Sequence, residues 1–129
     1  MYISEAIDQA DKLKPNAYMQ EEKVRWLSDI DGRIFEEIIS KHKGGSEGQA
    51  LFTGYNGTTD IHNTKLLVPY PYTELYIHYL KMQMDLNNEE TVKYNNDKAL
   101  FNVEYLAFMD YWNRTHMPDS PDYAECFKL

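Results

Sequence analysis

Aromatic side chains recur at helical spacing along residues 94–118, and this pattern constrains the fold more than any other feature of the chain. Phe101, Tyr105, Phe108 and Trp112 are separated by four, three and four residues, which places them on one face of an α-helix. More apolar residues lie on the neighbouring sides of this helix: Leu100, Val103, Leu106, Ala107 and Tyr111. A helix that is apolar around most of its circumference must be covered on several sides. The segment therefore predicts a packing and assembly element, with the four aromatic residues in the core.

Two helices are predicted in the first 42 residues, with Pro15 between them. The first spans residues 3–13 and has Ser4 as its candidate N-cap. The second spans residues 18–42, and Asn16 is a candidate cap for its start. The residues of the second helix that are predicted to lie in the core share one face: Val24, Leu27, Ile34 and Ile38.

Asp31 and Gly32 interrupt the apolar face of the second helix. Asp31 lies between Leu27 and Ile34 on that face, so we expect a buried carboxylate whose oxygens accept hydrogen bonds. A catalytic carboxylate is the weaker interpretation, because no partner residue is apparent. Gly32 costs about 1 kcal/mol relative to alanine in a helix interior. It indicates either a close approach by a neighbouring helix or a kink.

Residues 43–71 break the helical pattern and predict a long loop. Asn56-Gly57 is the strongest short hairpin signal in the chain, because this pair tolerates the positive φ of a type I′ turn. Residues 51–55 and 58–62 are the possible arms of a small β-hairpin. An irregular segment of this length is usually functional or disordered. Its many aromatic and aliphatic residues favour function over disorder.

Two further helices are predicted in the second half of the chain. The third spans residues 73–87, with Thr73 as its candidate cap and with Leu75 and Tyr79 in the core. The fourth spans residues 89–115. A turn at Asn87-Asn88 would make the two helices an antiparallel pair, and its absence would make them one long helix. The turn is favoured, since asparagine is unfavourable inside helices and common in turns.

The chain is predicted to be one mainly α-helical domain, residues 1–117, followed by a C-terminal tail, residues 118–129. A length of 129 residues fits one domain, and a hydrophobic content of 43% can supply a core. The expected architecture is a bundle of about four helices with a long loop between residues 43 and 71. The tail, which contains two prolines, is expected to be frayed or docked on a partner.

Catalytic and metal-binding patterns are weak throughout the sequence. The four histidines lie in different segments, and Asp60 with His62 falls short of the three or four ligands that a metal site needs. The single cysteine, Cys126, cannot form an intramolecular disulfide, which favours a reducing, cytoplasmic setting. We therefore expect neither an enzyme nor a cofactor or metal site. A net charge of −8 argues against sequence-specific DNA binding, and no apolar run predicts a membrane span.

Most of the chain resembles the small head–tail connector, or adaptor, proteins of long-tailed phages and prophages of Gram-positive bacteria. The resemblance rests on packing residues and not on catalytic ones. The segments that carry it are Leu66–Leu80, Val92–Pro118, Ile7, Leu13–Asn16, Glu22–Ser28 and Asp31-Gly32.

The resemblance implies an all-α bundle that assembles into a ring, commonly of about twelve copies, in the virion neck. Such a ring lies below the portal protein, extends the DNA channel, and presents a platform for a stopper or tail-completion protein. It would assemble in the host cytoplasm. Double-stranded DNA would pass through without sequence-specific binding, and the acidity of the chain suits such a channel.

Contacts with other subunits or with partner proteins are expected from the loop and the tail. The residues predicted for these contacts are Phe52, Tyr55, Leu66, Leu67, Tyr70, Tyr72, Tyr123, Phe127 and Leu129. Two alternatives to a connector stay open. One is another phage tail-completion or packaging-accessory protein, and the other is a bacterial helical protein-binding module.

Overall fold

Four α-helices account for most of the computed structural model, which describes residues 1–40 and 52–116. In chain order they are α1 (Ile3–Leu13), α2 (Gln20–Ile34), α3 (Glu74–Asn87) and α4 (Thr91–Thr115). A π-helical turn, Phe35–Ile39, continues α2 directly. No strand occurs within the two described ranges. The fold is thus the mainly α-helical bundle that the sequence predicts.

The predicted helix bounds agree with the observed ones to within two residues, except at the end of the second helix. There the predicted span of 18–42 is divided between α2 and the π-helical turn, and residues 41–42 lie outside the described residues. In the π-helical turn the N–H of Ser40 donates to the carbonyl of Phe35 at 2.8 Å, a bond across five residues. At Gly32 the nearest side chain is the Phe52 ring, so its close neighbour is the loop and not a helix.

The start of α1 corrects the prediction that Ser4 is its N-cap. The helix begins at Ile3, and Ser4 already lies inside it. The N–H of Ile3 donates to the carbonyl of Thr64 at 3.1 Å, and the N–H of Ser4 donates to the carbonyl of Ile61 at 3.0 Å. The loop therefore supplies the acceptors that the first turn of a helix lacks.

The other two candidate caps are only partly correct. Asn16 accepts a hydrogen bond from the N–H of Tyr18 at 3.1 Å, and α2 begins at Gln20. Asn16 therefore shapes the turn between the helices and does not cap α2. Thr73 occupies the N-cap position of α3, but its side chain makes no capping hydrogen bond.

The helices α3 and α4 form an antiparallel pair, as the sequence predicts. Tyr72, just before α3, packs against Phe108, whereas Tyr79, further along α3, packs against Phe101. Residues that come later in α3 therefore contact residues that come earlier in α4. The chain reverses at residues 88–90, where Glu89 takes a left-handed conformation with φ of 59°. The other side of α3 packs against α1 and α2, so α3 is the centre of the bundle.

Most of the predicted core residues are buried: Val24, Leu27, Ile34, Ile38, Leu75, Tyr79, Phe101 and Phe108. Tyr105 and Trp112 are half-buried, since they lie at the edge of the covered face of α4. The hydroxyl of Tyr105 donates to the carboxylate of Glu37 at 2.6 Å. The polar end of Tyr105 is thus paired at the edge of the bundle, while its ring packs against Phe101.

The possible hairpin around Asn56-Gly57 is wrong for the described part of the loop. Neither residue has the positive φ that a type I′ turn requires, and the glycine with positive φ is Gly54. Instead, the Asn56 side chain accepts a hydrogen bond from the N–H of Thr58 at 2.8 Å, while its carbonyl accepts one from Thr59 at 3.1 Å. Asparagine has formed a turn with its own side chain, and no strand pairing follows.

Candidate interaction surface

Most of the loop residues predicted to contact other subunits contact their own chain. Leu66 is 6% exposed and belongs to the core, which corrects its assignment to an interface. Phe52 is half-buried, and its ring stacks on Phe35 with 6.3 Å between centroids. Tyr72 is half-buried and packs against Tyr111 at 5.1 Å. These side chains hold the loop to the bundle.

Tyr70 is the loop residue of this set that remains available to a partner, with 87% of its side chain exposed. The tail residues Tyr123, Phe127 and Leu129 lie outside the described residues, so their assignment stays a prediction.

Asp31 is the centre of a hydrogen-bonded cluster that ties the loop to α2 and α3. Its carboxylate accepts from the hydroxyls of Tyr55 and Tyr76, each at 2.5 Å, and from the N–H of Leu67 at 3.1 Å. The Tyr76 hydroxyl in turn accepts from the N–H of Val68 at 2.8 Å. We call these five residues the Asp31 centre. They show that Asp31 is the paired, buried acceptor that the sequence predicts.

Burial raises the pKa of Asp31 to about 6, although the three hydrogen bonds from Tyr55, Tyr76 and Leu67 lower it. The negative charge of Asp31 also acts on the pKa values of the two tyrosine hydroxyls. Burial and the Asp31 carboxylate raise the pKa values of Tyr55 and Tyr76 well above their usual range, so both remain donors. Every group in the Asp31 centre thus has a bonding partner, and its position between three chain segments makes it a structural anchor.

Gly54 lets the loop reach the Asp31 centre. Its φ of +89° is a conformation that L side chains rarely adopt, and a Cβ there would lie 2.7 Å from the Ser28 hydroxyl oxygen. The same hydroxyl accepts a hydrogen bond from the N–H of Tyr55 at 3.0 Å. A glycine is therefore required at this close approach between the loop and α2.

A cluster of opposite charges joins the ends of α1, α3 and α4. Lys14 pairs with the buried Asp85 at 2.5 Å and with Glu90 at 3.1 Å, while Lys81 pairs with Asp97 at 3.2 Å. Burial and the neighbouring Asp97 raise the pKa of Asp85. The lysines offset the carboxylates, so the cluster is best explained as a structural junction.

Two further kinds of site, for a metal ion and for membrane insertion, were considered in the part of the chain that the structure describes. No group of three or more histidine, cysteine, aspartate or glutamate side chains there could hold a metal ion. No helix within the described ranges is long and apolar enough to cross a membrane.

The outward side of α4 carries a row of exposed residues that the other described residues do not cover. We call it the outer stripe, and its five members are Val92, Asn96, Ala99, Val103 and Leu106. The three large apolar members are 75%, 64% and 60% exposed in chain order. Leu100, beside the stripe, is 48% exposed. Isolated exposed apolar residues are normal on protein surfaces, but Leu100, Val103 and Leu106 lie within two turns of one another, and such a cluster is a candidate interaction site.

The outer stripe lies opposite the face by which α4 packs on its own bundle. That inner face contains Phe101 and Phe108, which are buried against α3. At 100° per residue, Val103 lies about 160° around the helix from Phe101. Helix α4 therefore has apolar residues on two opposite sides, and the described residues cover only one of them.

Sequence reasoning noted Leu100, Val103 and Leu106 as apolar but placed the functional contacts in the loop and tail. The spacing of the stripe could have identified it as a second apolar row. Periodicity alone cannot tell which of two rows packs on the chain's own core, and that is why the outer row was missed.

Comparisons with known proteins do not assign the chain to a family. No protein-family model, curated protein or solved structure matches the chain.

Proposed function

We propose that this chain is a structural virion protein, a head–tail connector whose copies form a ring below the portal and join the capsid to the tail. The observation that carries the proposal is the outer stripe of α4. A mainly helical chain whose described residues leave one side of the longest helix exposed, with apolar groups on it, has the surface that a subunit of an assembly needs. The proposed role is one of packing and requires no catalytic group.

The anchored loop supports a subunit that enters the assembly with its shape already established. The Asp31 centre holds Tyr55 and Leu67 against α2, and the backbone of residues 61–66 bonds to the start of α1. A body that is ordered in advance loses less conformational entropy when it assembles.

The charge of the chain supports a ring through which DNA slides. Its 21 acidic and 13 basic residues give a net charge of −8. A protein that grips the phosphate backbone needs a basic surface, whereas an acidic lining repels DNA and leaves it free to move. The stopper and the portal protein would be the neighbours of the ring in the neck.

Electron microscopy of the full-length chain mixed with the portal protein from the same genome tests the proposal. We expect a ring of this chain on the portal, and we expect portal and major capsid genes upstream of its own gene. Substitution of Val103 by glutamate should abolish the ring, since it places a charge on the outer stripe. Lys98→Gln makes the same change in net charge on the same helix, away from the stripe, and should leave the ring intact.

Failure to bind the portal would overturn the connector role. Binding as single copies without a ring would instead favour a packaging-accessory or tail-completion protein.

A further inference from the structure

We propose that the free chain pairs with a second copy of itself through the outer stripe, with the two α4 helices antiparallel. The inference concerns the chain before it meets any other protein. It uses the surface on which the proposed function rests, but it does not depend on the ring.

The spacing of the outer stripe is that of a seam between two packed helices. Its five positions are separated by four, three, four and three residues, the alternation by which one helix packs along another. The seam rises roughly 21 Å from Val92 to Leu106 at about 1.5 Å per residue. Ala99, at its centre, is small enough to let a second helix approach closely. A helix is therefore the shape that fits this surface.

Charge identifies a second copy as the occupant. The chain carries a net charge of −8, so two copies repel each other wherever their acidic surfaces meet. None of the five stripe positions is charged, Asn95 and Asn102 on one flank are neutral as well, and the other flank carries one charge of each sign, Lys93 and Glu104. A surface made for a basic partner would carry an excess of carboxylates beside its apolar groups. The outer stripe is instead a surface on which two like-charged copies can meet without repulsion.

The orientation of the pair follows from Asp110, which continues the same spacing after Leu106 and is exposed. Asp110 is paired with Arg114 of its own helix at 3.2 Å. In a parallel pair the two Asp110 carboxylates would still face each other across the seam, where charged groups are unfavourable. In an antiparallel pair Asp110 lies at the end of the seam, near Val92 of the second copy, where water can reach it. The two helix dipoles then also oppose each other.

An antiparallel register centred at the level of Phe101 pairs four of the five stripe positions with one another and leaves Val92 opposite Asp110. Val103 then packs against Ala99 of the second copy, and Leu106 packs against Asn96 of the second copy. Leu100 lies on one flank and meets its own counterpart near the two-fold axis.

The size of the seam predicts a weak and reversible pair. Stable complexes bury roughly 1,200 Å² or more in total, and one helix pair of this length buries less. We therefore expect a dissociation constant in the micromolar range or above. Such a pair covers the stripe in the free chain. It dissociates when a partner that binds the stripe more tightly is present.

Sedimentation velocity of the full-length chain from about 1 μM to about 500 μM tests the pairing across the affinity range expected for a weak interface. The wild type should change from monomer to dimer over this range. Val103→Glu should raise the dissociation constant at least about tenfold, while the charge-matched Lys98→Gln should not. A wild type that stays monomeric, or that exceeds a dimer, overturns the proposal. So does a Val103→Glu chain that associates as strongly as Lys98→Gln.

Disulfide trapping tests the orientation, with Cys126→Ser as the background so that each chain has one thiol. Leu100→Cys should cross-link two copies under mild oxidation, because position 100 of each copy lies near the two-fold axis. Asp110→Cys should not. Cross-linking at 110, or none at 100, overturns the antiparallel register.

The two proposals fail separately. A dimer that never forms rings with the portal would remove the connector role and leave the pairing intact. Rings on the portal without a dimer of the free chain would remove the pairing and leave the connector role intact.

Discussion

The Asp31 centre and the outer stripe of α4 both depart from the usual division of polar surface and apolar core, in opposite directions. Asp31 is a carboxylate with no exposed surface, and Val103 is an apolar side chain that is 64% exposed. The carboxylate finds all its partners within the chain: two hydroxyls and one N–H. The stripe, in contrast, is left exposed by the described residues.

This difference separates a structural feature from a functional one. A buried polar group with every bond satisfied contributes to the fold and requires no outside partner. An apolar row left in water gains free energy only when another molecule covers it. Variants of the Asp31 centre should therefore change the stability of the chain, whereas variants of the stripe should change its association.

Removal of the Asp31 carboxylate is expected to have the largest effect on stability. Asp31→Ala leaves the buried hydroxyl of Tyr76, that of Tyr55 and one N–H without their acceptor, at a cost of about 4 kcal/mol in the free energy of unfolding. Urea denaturation measures it. The matched control is Asp29→Ala, an exposed carboxylate on the same helix, which should change stability by less than about 0.5 kcal/mol. Equal losses of stability in Asp31→Ala and Asp29→Ala would show that Asp31 does not anchor the loop.

The pH dependence of stability is the next largest effect. Because burial raises the pKa of Asp31 to about 6, folding favours its protonated form. This contribution is complete below about pH 4 and is lost as the pH rises through about 6. Relative to Asp31→Asn, which cannot ionise, the wild type should lose roughly 3 kcal/mol between about pH 4 and about pH 7. Parallel pH profiles of the two proteins would contradict the buried, ionising carboxylate.

Gly54→Ala should release the loop at a smaller cost, about 2 kcal/mol in the free energy of unfolding. Alanine is strained at the positive φ of Gly54, and its Cβ would meet the Ser28 hydroxyl. The rate of amide hydrogen exchange at Tyr55 and Leu67 should rise in the same variant, because the loop is released. Gly57→Ala serves as the control, since a Cβ there makes only an ordinary contact with Glu21. Similar losses from both variants would mean that the anchoring at Gly54 is unimportant.

Val103→Glu should have the smallest effect on stability, within about 0.5 kcal/mol of the wild type. The side chain is largely exposed, and glutamate is a slightly better helix former than valine. Thermal unfolding measured at low protein concentration checks this without interference from association. A large loss of stability would mean that the chain itself covers the stripe.

The helices were predictable because each has a repeating apolar pattern with breaks at Pro15, Asn87 and Asn88. The buried, paired state of Asp31 was predictable too, since its neighbours on the helix face are apolar. Its partners were not, because Tyr55 and Tyr76 are 24 and 45 residues away in the sequence.

The loop and the outer stripe show where local patterns stop being informative. Asn56-Gly57 has the composition of a hairpin turn, but the asparagine side chain bonds to Thr58 and the turn takes another form. Leu66 looked available to a partner, yet it is covered by its own chain. Conversely, Leu106 belongs to a row that seemed to need cover, and the chain leaves it exposed. Which apolar row is covered depends on tertiary packing, which the periodicity does not encode.

The central claim is that the outer stripe meets other molecules and does not stabilise the fold. The most direct test is the mass of Val103→Glu beside that of the wild type, by sedimentation at concentrations where the wild type associates. We expect Val103→Glu to remain monomeric while its unfolding midpoint in urea equals that of the wild type. Association of Val103→Glu at the wild-type level, with the fold intact, would contradict it.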